Sequence, residues 1–361
     1  MSKITKDIET YNELDKRLIK IAKNVKPLYY LTPINCAHEK TKFLLDNSHV
    51  PRFKYRDLEY NPNLIEKKLN SISIPKGSLS KIFTQKRDEL LLMNEMLINR
   101  GNDDLIQKTS SRLYGTPSKK LVKQAEKILL DTDPIELKKD VSSAKIKIAL
   151  ENALRDNKLR YWKVEYSIKR LTTVYPAEKM ITVGKDRLFS QIDPKRLGVH
   201  EVGVHVLRAA NGHGQVLKIF ATGLPGYLST EEGLAAYLEQ KTGNTCPERM
   251  RNYAGRVIAV DSVVNGLSFR ECLDKLVSYR FTKDNAWDLT VRAYRGGGFV
   301  KDHVYLLGFE KVKEFEANGG DICDLYVGKV GIDDLPLVSE LIDAGILKEP
   351  KYLPSFLQKS V

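Results

Sequence analysis

The chain has 361 residues, 42% hydrophobic and 29% charged, a balance that suits a packed globular core and excludes a largely disordered protein. No run approaches the ~20 apolar residues of a membrane span, and no signal-type apolar stretch opens the sequence. A soluble, cytoplasmic protein with no membrane role is therefore expected, and four scattered cysteines without a CxxC pair suit a reducing compartment. The net charge of +13 raises the question of nucleic acid, yet residues 1–150 carry 29 basic and 19 acidic side chains (+10) while 301–361 carry 7 and 11 (−4). Those basic residues are interleaved with acids and form no nucleic-acid motif, so nucleic acid is the disfavoured partner. Such a field would instead speed the approach of an acidic peptide.

In chain order, residues 4–25 space their apolar positions (Tyr11, Leu14, Leu18, Ile21) as an amphipathic helix does, with Pro27 stopping it. Residues 52–60 alternate with period two and predict a half-exposed strand. Helices are predicted near 62–70, 78–99 (ended by Gly101) and 118–130. The turn Asp131-Thr132-Asp133-Pro134 marks a boundary between a basic, mostly helical lobe, 1–130, and a catalytic domain, 131–361. Within the second part, a helix near 142–156 precedes two strands, Tyr161–Tyr166 and Met180–Val183. A further helix starts with Asp193 as N-cap and Pro194 in the first turn, and runs to Asn211-Gly212. Downstream the pattern is helical, including 247–264, 268–279 and 302–317.

The helix after Asp193 carries the most informative residues. Histidine is scarce, six in the chain, yet His200, His205 and His213 fall within fourteen positions. His200-Glu201-Val202-Gly203-Val204-His205 flanks a carboxylate with two potential metal ligands, but five residues apart rather than the usual four. On a regular helix, at ~100° per residue, the second ring sits about 140° from the first. Both can reach one ion only if the helix is distorted, as a π-type bulge would distort it, with Gly203 easing the change. A third ligand is available at Glu231 or Glu232, although Ser229 and Glu232 also fit a capping box and both acids suit a helix N-terminus.

The run from His200 through Leu207-Arg208 and Asn211-Gly212 to Glu231-Glu232-Gly233-Leu234-Ala235 resembles the microtubule-associated tyrosine carboxypeptidases and their prokaryotic relatives. Those relatives take their name from a Gln-Glu-Gly-Leu-Ala motif. A second block, Arg292-Ala293-Tyr294-Arg295-Gly296-Gly297-Gly298-Phe299-Val300-Lys301-Asp302 followed by Tyr305-Leu306 and Gly308, agrees. The resemblance covers most of the chain and implies an α+β, zincin-like metallopeptidase, predominantly helical with a small sheet beside the metal-binding helix. It implies one zinc ion per chain held by His200, His205 and Glu232, with Glu201 as catalytic base. Glu232 is preferred to Glu231 because the relatives have Gln at the earlier position.

The activity so implied is zinc-dependent removal of residues from a protein or peptide C-terminal tail. An endopeptidase or amidase with the same site, or a silent zinc-containing binding protein, is the alternative. Tubulin is not assumed as the partner. The free carboxylate of a tail needs a cation or a nest of backbone amides, and Arg292, Arg295 and Lys301 around three glycines are the candidates. Tyr294, Tyr305 and His213 are candidates for stabilising the oxyanion. Arg208 and Asn211 are expected to support the site, for instance by capping the metal helix.

Overall fold

The computed structural model describes residues 3–168 and 172–358. Helices dominate, and short strands form two small sheets, so the architecture is α+β. The chain divides into two compact units, Met1–Pro134 with Pro247–Leu306, and Ile135–Cys246 with Leu307–Val361. The first crossing thus follows the Asp131–Pro134 turn, but residues 247–306, expected with the rest of 131–361, fold with the N-terminal helices. The helix Pro247–Val264 packs along Lys119–Asp131. Arg251, wholly buried, donates to the carbonyls of Leu129 (2.8 Å) and Thr132 (2.6 Å), satisfying acceptors where that helix ends. Helical periodicity cannot announce so distant a partnership.

In the first unit the helix Lys3–Ala22 buries Tyr11, Leu14, Leu18 and Ile21 as their spacing requires. Pro27 begins the next short helix, Pro27–Leu31, rather than only ending the first. Residues 52–60 form no strand, and their alternation in burial slips at Tyr55-Arg56, which are both half-buried. Their backbone is tied instead to residues 34–39: Ile34 N–H donates to Lys54 O, and the side chains of Asn35 and Glu39 accept from Lys54 N–H and Arg52 N–H. The period-two sequence therefore belongs to a segment whose backbone is tied to residues 34–39 rather than to a sheet.

The second unit contains β1 (Lys139–Ser142), β2 (Lys163–Ser167), β3 (Thr173–Tyr175), β4 (Met180–Gly184) and β5 (Leu188–Ser190). β1 and β5 form an antiparallel pair, while β4 lies between β2, to which it is parallel, and β3, to which it is antiparallel. Central β4 buries Ile181 and Val183 on one face and Thr182 on the other, as a strand covered on both faces does. Edge strand β3 packs against the helix that bears the histidine pair, and the helix Ser143–Asp156 covers the same helix with Ile146, Leu150 and Leu154.

Candidate metal centre

Three helical segments run on without a break: α-helical Asp193–Leu197, π-helical Gly198–Val206 and α-helical Leu207–Gly214. The irregular spacing of the histidines is met by a full stretch of i→i+5 helix, in which residues five apart stack on one face. The rings of His200 and His205 accordingly lie side by side, centroids 4.8 Å apart and planes at 81°. Part of the cause is visible: the buried Tyr326 hydroxyl donates to the Gly203 carbonyl at 2.8 Å, drawing off an acceptor that an α-helical ladder would use. Gly203 itself is not sterically demanded, because a Cβ there would meet only Gly198 O at 3.6 Å and the Phe356 ring at 3.9 Å.

The start of this helix differs from expectation. Asp193 is its first residue rather than its cap, and its carboxylate accepts from Ser190 N–H and Oγ (both 2.8 Å) and from Arg196 Nε (2.9 Å). Arg196 then donates to Glu239 at 2.9 Å, and Glu239, with no exposed surface, lies 2.8 Å from His200 Nδ1. His205 is held in the same manner, its Nδ1 lying 2.8 Å from Glu231. Arg208 and Lys329 both pair with Glu231. Each imidazole thus directs Nδ1 to a buried carboxylate and leaves Nε2 for the opposite side.

There Glu232 joins them, its Oε2 standing 3.8 Å from the Nε2 of each ring. The three ligand atoms lie within 4.8 Å of one another. Glu231 is occupied in orienting His205, so the two adjacent acids have separate positions. The capping box does not form: this helix, Leu228–Lys241, takes Tyr227 as its cap without a side-chain bond, and Ser229 Oγ finds no partner. Gly233 has a reason of its own, since any Cβ would strike the backbone of Gly308, and a Cβ on Gly308 would strike Ser229 O. That close approach fixes the helix turn carrying Glu232.

Burial opposes a charge on His200, but the hydrogen bond it makes to Glu239 and the fields of Glu239, Glu201 and Glu232 outweigh it and raise its pKa. Glu231 moves the other way: burial would raise its pKa, yet Lys329, Arg208 and His205 hold it well below the carboxylate range. The centre is therefore electronegative around the rings, as a cation site must be. Glu201 is itself buried, and among the described residues no hydrogen bond or salt bridge engages its carboxylate.

A family model described as microtubule-associated tyrosine carboxypeptidase matches residues 42–360. The chain belongs to this family. A comparison with curated proteins gives no match. Membership of the tyrosine carboxypeptidase family makes a carboxypeptidase, hence a hydrolase acting on protein C-termini, the framework for the centre. Among the described residues no helix is long and apolar enough to cross a membrane.

The remaining residues singled out in this family member divide by unit. Arg208, fully buried, does not cap its own helix; it donates to the carbonyls of Leu325, Gly328 and Val330 as well as to Glu231, so it ties the 325–330 loop to the centre. Asn211 likewise clamps residues 351–352, accepting from both N–H groups and donating to Tyr352 O at 2.8 Å. His213 lies in the last helical turn, 3.0 Å from Pro176 O, and burial lowers its pKa. Arg292, Tyr294, Arg295, Lys301 and Tyr305 lie in the first unit. Tyr294 donates to Leu267 O at 2.5 Å and Arg292 pairs with Asp302. The three glycines, with φ of 72°, 112° and 126°, are packed on Leu31, Asp103 and Gln107, and Gly296 N–H is spent on Tyr55 Oη. They form a tight turn rather than an open anion nest. Glu239, Arg196, Lys329 and Tyr326 were missed from sequence; their only signal is being polar or aromatic in apolar surroundings.

Proposed function

We propose that this chain is a zinc-dependent metallocarboxypeptidase of zincin-like architecture, with His200, His205 and Glu232 as ligands and Glu201 as base. The observation that carries the reading is the convergence of two Nε2 atoms from one face of the π-helix with Glu232 of the helix Leu228–Lys241. Atoms each ~2 Å from one zinc ion are at most about 4 Å apart. The 3.8 Å separations fit this, and the full set, within 4.8 Å, is only slightly wider than an ion's own ligand triangle. Two imidazoles and a carboxylate are the donor set of catalytic zinc sites with an open position.

Bound there, zinc would supply Lewis acidity toward the scissile carbonyl and make water nucleophilic near neutral pH. The protein's own groups do the rest. Glu239 and Glu231 accept the Nδ1 protons and so fix the tautomer in which both Nε2 lone pairs face inward. Glu201, adjacent to a ligand but held by no cation, is placed to take a proton from the attacking water and return it to the leaving amine. The substrate would be a protein or peptide C-terminal tail, an acidic one gaining most from the basic chain. Residence in the cytoplasm belongs to the same reading.

The test is metal content and turnover on a library of C-terminally varied peptides. Wild type should hold about one zinc per chain and shorten the peptides from their C-termini, and Glu201→Gln should keep the metal and lose the activity. A Glu201→Gln protein that cleaves as fast as wild type would sink the mechanism. Internal cleavage would make it an endopeptidase.

A further inference from the structure

Lys329 stands behind the metal centre, and backbone contacts set its place there. Its N–H donates to Phe220 O at 2.7 Å and its carbonyl accepts from Leu224 N–H at 2.9 Å, so residue 329 is laid along the 220–224 turn. The same Phe220 carbonyl presses on the metal helix. A Cβ on Gly212 would strike it, and a Cβ on Gly328 would come within 2.7 Å of it. Gly212, Phe220 and Gly328 are therefore stacked at backbone contact, a closeness that only glycine allows. That stack gives a role to Gly212 of the sequence motif, and it fixes where the Lys329 side chain starts relative to the continuous helix that carries His205.

From there the ammonium, buried and 5.6 Å from the centroid of the Tyr227 ring, reaches Glu231. The two cations on this carboxylate take different oxygens. Arg208 Nη1 holds Oε2, and Arg208 is itself a strut that also donates to Leu325 O, Gly328 O and Val330 O. Lys329 Nζ holds Oε1, the oxygen that lies 2.8 Å from His205 Nδ1. With Arg208 alone, the carboxylate is free to rotate and give both oxygens to the guanidinium fork, the pairing that arginine favours, and the ring loses its acceptor.

We propose that Lys329 is the positioning residue for His205: it anchors Glu231 Oε1, which holds the imidazole as the Nδ1–H tautomer with Nε2 turned toward Glu232. His200 has separate support in Glu239 with Arg196, so the two rings are set independently. The purpose of the ring rests on the zinc reading, but the place of its proton belongs to the protein alone and is measurable without metal.

The experiment compares the full-length wild type with Lys329→Gln and Lys329→Arg. Glu231 keeps Arg208 in all three, and melting of the metal-free proteins checks that each folds. Long-range proton–nitrogen NMR of histidine-labelled, metal-free protein, at a pH where the rings are neutral, reports each tautomer, with His200→Ala and His205→Ala supplying the assignments. His205 should carry its proton on Nδ1 in wild type and in Lys329→Arg, and should become a mixture of tautomers in Lys329→Gln, while His200 stays Nδ1–H throughout. Zinc affinity, by competition with a chelator, should fall about tenfold or more in Lys329→Gln and recover in Lys329→Arg. If wild-type His205 carries its proton on Nε2, the proposal fails before any variant is made. A Lys329→Gln protein that melts lower yet keeps the His205 tautomer and wild-type zinc affinity would make Lys329 a packing residue and overturn the proposal. Loss of the His200 tautomer as well would overturn it too, since the rings would not be set independently. If wild type takes up no zinc while the tautomers behave as stated, the zinc reading fails and the positioning of His205 by Lys329 stands.

Discussion

Around His200 and His205 the buried acids that hold the rings have cations of their own, Arg196 behind Glu239 and Arg208 with Lys329 behind Glu231. Around Asp302 the balance is reversed, four cations acting on one acid. In the first region each acid behind a ring is balanced by a cation and so can stay ionised while it orients that ring. In the second the acid is shared among several cations, three of which also lie over aromatic rings. The two regions teach the same rule from opposite sides: a buried charge keeps its ionised state only through the partners packed around it.

The largest expected effect breaks the comparison at its inner face. Glu201→Gln should lower turnover by about a hundred- to ten-thousandfold with zinc content unchanged, whereas Glu232→Ala should lose the metal itself. Next are the outer acids. Glu239→Gln and Glu231→Gln should each weaken zinc binding by about ten- to a hundredfold, read by competition with a chelator. Unchanged affinity in both would mean that the rings need no carboxylate behind them. The matching change in the other region, Asp302→Asn, should cost about 3–5 kcal/mol of stability by denaturant unfolding. It should leave zinc affinity at the wild-type value.

Acid sharpens the contrast further. Asp302 resists burial, which would raise its pKa, because Arg292, Arg295, Lys301 and Arg256 hold it below the ordinary carboxylate range. A depressed folded pKa gives stability that is fully present above the unfolded value of ~3.9 and is lost as pH falls through the folded one. Wild type should therefore lose stability in acid more steeply than Asp302→Asn. Parallel curves would show that the Asp302 charge contributes nothing.

Much of the second unit could be read from local pattern, because β2, β4 and the helix Ser143–Asp156 each carry the period and turn residues that specify them. The three proposed ligands were legible too, through an unusual spacing and a motif. What was not legible depends on distant partners. Nothing local in Pro247–Val264 says that Arg251 will close the end of Lys119–Asp131, and nothing in Arg52–Tyr60 says that Asn35 and Glu39 will take its backbone. Glu239 was invisible for the same reason: its role is defined by His200, thirty-nine residues away.

The smallest effect concerns Gly203, where pattern and structure part most subtly. A glycine inside an irregular histidine spacing invites the inference that the π-helix needs its flexibility. The space around it contradicts this, since an added Cβ would make only ordinary contacts with Gly198 O and Phe356. Ala is a better helix former than Gly by roughly 1 kcal/mol, so Gly203→Ala should keep zinc affinity and leave stability unchanged or slightly higher. Tyr326→Phe is the complementary change, deleting the hydroxyl that takes the Gly203 carbonyl. It should weaken zinc binding modestly, because the rings meet only while the segment stays π-helical. If Gly203→Ala loses the metal and Tyr326→Phe does not, the glycine sets the distortion and the tyrosine merely fits it.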